Sequence, residues 1–159
     1  MRIKKILFLS LCLLIIFSMG KSQETGSKPK EIKLPAPRVD GGRPLMQCLK
    51  DRQSQREFRP DTLPLQVLSD LLWAAYGINR PESGKRTAPS AVNWQNIDIY
   101  VALADGLYFY EPREHKLIQL LPEDIRGLTG TQPFVKEAPL NLIYVADLAK
   151  IPSGTDEDK

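Results

Sequence analysis

The chain has 159 residues, with 22 Lys+Arg, 19 Asp+Glu, one histidine and two cysteines. Three of the basic residues, Arg2, Lys4 and Lys5, open the chain; without them the two signs balance at 19 each, so the basic pI is no sign of a nucleic-acid partner. With His115 as the sole histidine and Cys48 the sole cysteine beyond residue 20, zinc chemistry or a Ser-His-Asp or Cys-His system would rest on one imidazole, and a mature chain has no internal disulfide.

Residues 1–20 have the pattern of a secretory signal peptide. A positive start precedes an apolar run, and Ser18 and Gly20 supply small residues at a cleavage site. The alternative, an uncleaved anchor, would need about 20 apolar residues to span a bilayer, more than this run offers. Export to the periplasm without a stable membrane anchor is the expectation. Cys12 follows Leu11 and not a small residue, which argues against a lipoprotein. Residues 21–42 are rich in Lys, Pro, Ser and Glu without apolar periodicity, the composition of a flexible linker. The folded domain is expected over residues 43–159.

Leu45, Cys48 and Leu49 fall on one helical stripe, which predicts a short helix with Cys48 as a packed core thiol. Thr62 is placed to cap a second helix, with Pro64 in its first turn. Val67, Leu68, Leu71, Leu72 and Ala75 then form its core-facing stripe, and Gly77 ends it. Ile97–Leu103 reads as a strand, Asp105-Gly106 as a tight turn and residues 107–110 as the returning strand. A third short strand is expected at Lys116–Leu121, a short helix at residues 122–128 and an apolar strand at residues 140–146. His115 lies in the polar turn "EPREHKL" and is expected to be solvated. Mixed helices and locally paired strands predict an α+β fold.

Two stretches concentrate hydrogen-bonding groups. In "RQSQREF", Arg52, Ser54 and Arg56 can converge on one anion if the chain is helical or tightly turned, because a guanidinium fork suits phosphate. The alternative is a solvated face with Asp51 and Glu57 as partners of the arginines. In "RTAPSAVNWQN", residues 86–96, Pro89 fixes the chain while Ser90 and Ala91 permit close approach of a flat ligand. Asn93 and Gln95 point to one side if the segment is extended, and their amides match the carbonyl and imide edge of a heterocycle. Equally, the amides can serve the backbone of their own loop. The sequence leaves these two readings open.

The succession "RQSQREF", "LLWAAYGINRP" and "RTAPSAVNWQNIDIYVALADGLYFYEP" resembles the FMN-dependent nitroreductase family, including its SagB-like branch, over about residues 45–147. The resemblance implies a mixed sheet flanked by helices and a homodimer that binds FMN. It also implies electron transfer from NAD(P)H through the flavin to a nitro, quinone or enone acceptor. By position, Arg52, Gln53, Ser54 and Arg56 would contact the ribityl-phosphate and pyrimidine side. Pro89, Ser90, Ala91, Asn93 and Gln95 would approach the ring from the other subunit, Ser90 and Asn93 foremost. No catalytic acid or base and no metal ligand is implied, since the cofactor carries the redox chemistry. Two departures stand out. Asn96 occupies a position where many members have proline, and the chain has no counterpart to the long helix, the segments near the flavin N5 and the late basic residue found further along in the family. The expectation is the N-terminal part of such a domain, truncated at its C-terminus. The alternatives are a non-catalytic remnant, an exported binding module that keeps the fold without cofactor, or an arginine-rich anion-binding module.

Overall fold

The computed structural model describes residues 28–59 and 61–151; the signal-like segment 1–20 and the polar tail 152–159 lie outside them. The elements are β1 (Glu31–Lys33), α1 (Leu45–Asp51), α2 (Leu65–Tyr76), β2 (Ile78–Arg80), β3 (Lys85–Arg86), β4 (Ile97–Leu103), β5 (Gly106–Glu111), β6 (Lys116–Leu121) and β7 (Asn141–Ala146). Five of the strands form one antiparallel sheet in the order β1-β6-β5-β4-β7, and β2 and β3 form a separate hairpin. Among the described residues no helix is long and apolar enough to cross a membrane.

Alternation builds the sheet. Along β5, Gly106, Tyr108 and Tyr110 are buried while Leu107, Phe109 and Glu111 are half-buried, the two-residue period of a strand with one covered face. Ile99 and Val101 on β4 and Leu117 on β6 complete the covered face. Gly106 closes the β4–β5 turn at φ 149°, and a Cβ there would collide with the Leu121 carbonyl oxygen. Leu68, Leu72 and Tyr76 of α2 join these strand residues in one core.

The buried side of α2 is Leu68, Ser69, Leu72 and Tyr76, whereas Val67 and Leu71 of the expected stripe are 41% and 39% exposed. The displacement has a cause: Ser69 is drawn inward by hydrogen bonds to the Pro35 carbonyl and to His115, and the helix turns with it. Thr62 does not cap α2. Pro64 is the N-cap residue, and its carbonyl accepts the Leu68 N–H at 3.1 Å. Gly77 does end the helix, as expected.

Three further expectations are corrected. The linker composition of residues 21–42 hides an edge strand: β1 pairs with β6, and Leu34 beside it is buried in the core. Residues 35–38 are then strapped to α2. The Pro35 carbonyl accepts from Ser69 Oγ at 2.6 Å, and the Ala36 carbonyl accepts from Gln66 Nε2 at 2.9 Å. Asp70 accepts from the Arg38 N–H and Nε, each at 2.8 Å. Cys48 is exposed, because α1 buries none of its residues and leaves Leu45 and Met46 71% and 75% exposed. The helix expected at residues 122–128 shrinks to a 3-10 turn, Arg126–Leu128. Asp124 holds the Arg126 N–H at 3.0 Å and its Nη2 at 2.7 Å, a local bond that competes with helix formation.

Leu72 is fully buried where α2 meets the sheet. Leu72→Ala is expected to cost about 2–5 kcal/mol, the sum of lost transfer free energy and the cavity left behind. Urea denaturation midpoints measure it, and a loss below about 1 kcal/mol would show that α2 is not seated as described.

Candidate functional site

The 86–96 stretch is braced from within. Arg86, at the end of β3, lies 4.4 Å over the Tyr76 ring, donates from Nη1 to the Tyr76 carbonyl at 3.3 Å and donates from Nε to Gln95 Oε1 at 2.9 Å. Gln95 Nε2 in turn donates to the Gly84 carbonyl at 3.0 Å and to Asn93 Oδ1 at 3.2 Å. The Gln95 N–H donates to Ser90 Oγ at 3.0 Å, and Thr87 Oγ1 donates to the Trp73 carbonyl at 3.1 Å. Gln95 and Thr87 therefore serve the loop itself.

The segment is not extended, so the expected one-sided display of Asn93 and Gln95 does not arise from strand geometry. Ala91–Asn93 is a 3-10 turn, and Val92, Asn93 and Gln95 have φ of 47°, 61° and 50°. Left-handed backbone is tolerated by asparagine and costly for a β-branched residue such as Val92. What the turn leaves free is limited: the Ser90 hydroxyl proton and the Asn93 Nδ2 have no partner among the described residues.

Beside the turn lies a concavity of about 410 Å³ whose walls include Pro89, Ser90 and Asn93 together with Arg80, Lys85 and Arg86. No carboxylate lines it. Ala91 is exposed on the turn and neither it nor Gln95 reaches the wall. The basic residues were not singled out from the sequence, although "NRPESGKR", residues 79–86, carries them at the two ends of the β2–β3 hairpin.

Arg52, Gln53, Ser54 and Arg56 lie elsewhere on the surface and do not line that concavity. Helix α1 stops at Arg52, whose backbone is extended at φ −64° and ψ 120°, so a helical spacing of the arginines is not formed. All four side chains are exposed. Asp51 is engaged by Arg43 and by Gln47, and neither Arg52 nor Arg56 is paired with a carboxylate among the described residues. Arg56 instead sits 5.7 Å from the ring centroid of Phe134, which also lies 6.5 Å from Phe58. The solvated-face reading is thus half right: the segment is exposed, yet its expected acidic partners are absent.

His115 is not solvated. Its Nε2 lies 2.7 Å from Ser69 Oγ and its Nδ1 2.9 Å from the Tyr110 hydroxyl. The Pro35 carbonyl can only accept, so the single Ser69 proton goes there, and Ser69 Oγ must accept from His115 Nε2–H. Nδ1 then accepts from Tyr110. Burial lowers the His115 pKa, against smaller opposing effects of the Pro35 carbonyl and the Asp70 charge. Burial likewise raises the Tyr110 pKa and keeps it a donor. The sequence carried no sign of this network, because its members are 35, 69, 110 and 115 and meet only in the fold.

The chain matches the family model for the nitroreductase family over residues 49–159, and it belongs to that family. A protein of Methanocaldococcus jannaschii named as a nitroreductase is 34% identical over 113 residues, which are 65% of this chain and 57% of that protein. A crystal structure of a protein described as a nitroreductase from Ralstonia eutropha JMP134 is 45% identical, with a TM-score of 0.75 over 84% of this chain and 63% of that one. A second, from Anabaena variabilis, is 18% identical with a TM-score of 0.55, covering 81% of this chain and 31% of that one, and supports the fold alone. The chain therefore spans roughly three fifths of the first two relatives. The α+β nitroreductase-like fold read from the sequence is the fold observed.

Val92→Gly is expected to stabilise the protein by about 0.5–1 kcal/mol, since relief of the left-handed strain exceeds the added unfolded-state entropy of glycine. Urea denaturation measures it; an unchanged or lower stability would mean that Val92 is not strained. The His115 network predicts acid sensitivity. Its folded pKa lies below the unfolded 6.5, so the unfolded chain binds more protons in that window. The contribution is full above pH 6.5 and declines as pH falls through the window. His115→Asn, which tolerates the φ of 50° there, should flatten the stability difference between about pH 7.5 and about pH 5.

Proposed function

We propose that the chain supplies flavin-binding surfaces of an FMN-dependent oxidoreductase that takes electrons from NAD(P)H and passes them to a nitro, quinone or enone acceptor. The observation that carries this reading is that Arg52 and Arg56 flank Ser54 on an exposed segment, and neither guanidinium is paired with a carboxylate among the described residues. Two unpaired guanidinium groups beside a hydroxyl suit a phosphate and its polyol arm. Gln53 adds an amide on the same segment.

The 88–93 turn fits the other part of such a ligand. Small Ala88, Pro89 and Ser90 leave its wall open, Ser90 and Asn93 keep a donor each, and Arg80, Lys85 and Arg86 make the concavity positive. When bound, FMN supplies the hydride and electron transfer. The protein's residues bind, orient and shield. Arg86 and Gln95 hold the turn in place before any ligand arrives, which lowers the ordering cost of binding. Because the 52–56 and 88–93 surfaces do not share one concavity, the reading includes a homodimer in which each copy supplies one side. Export, expected from residues 1–20, belongs to the same proposal.

The full chain titrated with FMN tests it by calorimetry and by flavin absorbance retained after gel filtration. Arg52→Gln and Arg56→Gln are each expected to weaken FMN by about tenfold, roughly one lost charge-assisted contact. Riboflavin, which lacks the phosphate, should bind the unaltered protein correspondingly less well. A chain that takes up no FMN would sink the proposal. Stabilisation by inorganic phosphate equal to that by FMN would replace it with an anion-binding module.

A further inference from the structure

A second cleft, of about 520 Å³, lies on the other side of the β2–β3 hairpin. Ile78, Pro81 and Gly84 of the hairpin line it, whereas Arg80, Lys85 and Arg86 line the basic concavity. Its remaining walls come from three separate places: Pro37 of the strapped segment, Trp73 of α2, and Pro112, Arg113 and His115 of the β5–β6 turn. The volume is in the range of small-molecule sites, and flat apolar rings dominate the lining.

The polar atoms of this lining are almost all committed. Trp73 Nε1 donates to the Ile78 carbonyl at 3.3 Å. Both His115 nitrogens are used by Ser69 and Tyr110, and burial lowers its pKa. Of the carboxylates nearby, those of the β5–β6 turn and of α2 are engaged, while Glu82 in the hairpin turn is exposed and does not line the cleft. Glu111 is folded back onto the N–H groups of Arg113 and Glu114 at 3.1 and 2.6 Å. Glu114 pairs with Lys116 at 3.0 Å, and Asp70 is held by Arg38 and Gln66. Among the charged side chains that line the cleft, Arg113 alone is left over: it is exposed and its guanidinium has no partner among the described residues.

We infer that this cleft binds a small aromatic anion, its ring against Trp73 and the prolines and its carboxylate at Arg113. An uncharged ligand would leave the guanidinium unused, and a polyanion would find no second cation in the walls. A basic ligand would meet Arg113 with like charge. The flat ring is matched by the indole and pyrrolidine faces, which offer contact area without demanding hydrogen bonds.

The test is calorimetric titration of the full chain, without added flavin, with 2-naphthoate and with the neutral 2-naphthalenemethanol. Saturable binding of the acid is expected, with the alcohol about tenfold weaker. Arg113→Gln should bring the acid down to the level of the alcohol, and Arg113→Lys should keep part of the preference. Quenching of tryptophan fluorescence should follow the same order, since Trp73 forms a wall. Arg113 is exposed, so its variants are expected to keep the parent circular dichroism spectrum. Equal binding of acid and alcohol would overturn the inference, as would no binding of either. Binding of the acid that survives Arg113→Gln but is lost in Lys85→Gln would assign it to the basic concavity and overturn it too. None of these outcomes depends on whether FMN binds.

Discussion

Much of the structure depends on one directed chain of hydrogen bonds, from the Tyr110 hydroxyl to His115, from His115 to Ser69, and from Ser69 to the Pro35 carbonyl. Its four members come from a strand, a turn, a helix and the strapped segment. Each has one proton to give or one lone pair to offer in that place, so the direction is fixed by the carbonyl at the end. Protonating His115 at both nitrogens would turn Nδ1 into a donor and leave the buried Tyr110 proton to find another acceptor. A buried donor without an acceptor costs more than an average hydrogen bond contributes. The geometry therefore favours a neutral imidazole, half-buried beside the core that Leu72 belongs to.

The same economy governs the 86–96 turn. A run so rich in polar groups suggests a ligand, yet most of those groups are spent on one another through Arg86 and Gln95. Arg86 is the junction: its guanidinium stacks on Tyr76, its Nε fixes Gln95, and its carbonyl accepts from Arg80 at 2.7 Å. A loop braced in this way holds Val92 and Asn93 in left-handed backbone that a free chain would avoid. Of the groups left over, those at Ser90 and Asn93 gain fixed positions in exchange.

The fold was readable wherever the pattern was local. β4 follows from Ile97, Ile99 and Val101 in alternation, β6 from a short apolar run, the β4–β5 hairpin from Asp105-Gly106, and α2 from its stripe and from Gly77. The failures share a physical origin. β1 is three residues long and is stabilised by pairing with β6, whose partner Ile118 is far away in sequence from Glu31. Cys48 and Leu45 look like a core stripe, but nothing in the described residues covers α1. Of the candidate site, residue types and order were legible, while the left-handed turn, the basic hairpin and the release of Arg52 and Arg56 from acidic partners were not. Those depend on backbone conformations and distant partners that no local spacing records.

The two clefts are not independent surfaces, because the β2–β3 hairpin is a wall of both. Hydrogen bonds hold it both across itself and to what lies beside it. Trp73 Nε1 holds the Ile78 carbonyl, Arg80 Nη2 holds the Arg86 carbonyl, and Gln95 Nε2 holds the Gly84 carbonyl. The hairpin's own ladder is short and irregular, pairing Ile78 with Arg86 and Arg80 with Lys85, so those side-chain bonds set its position as much as the strands do. The apolar cleft and the basic concavity thus share this one short element as a wall. Gln95, whose amide was read beside that of Asn93 as a possible ligand contact, instead fastens the hairpin to the turn.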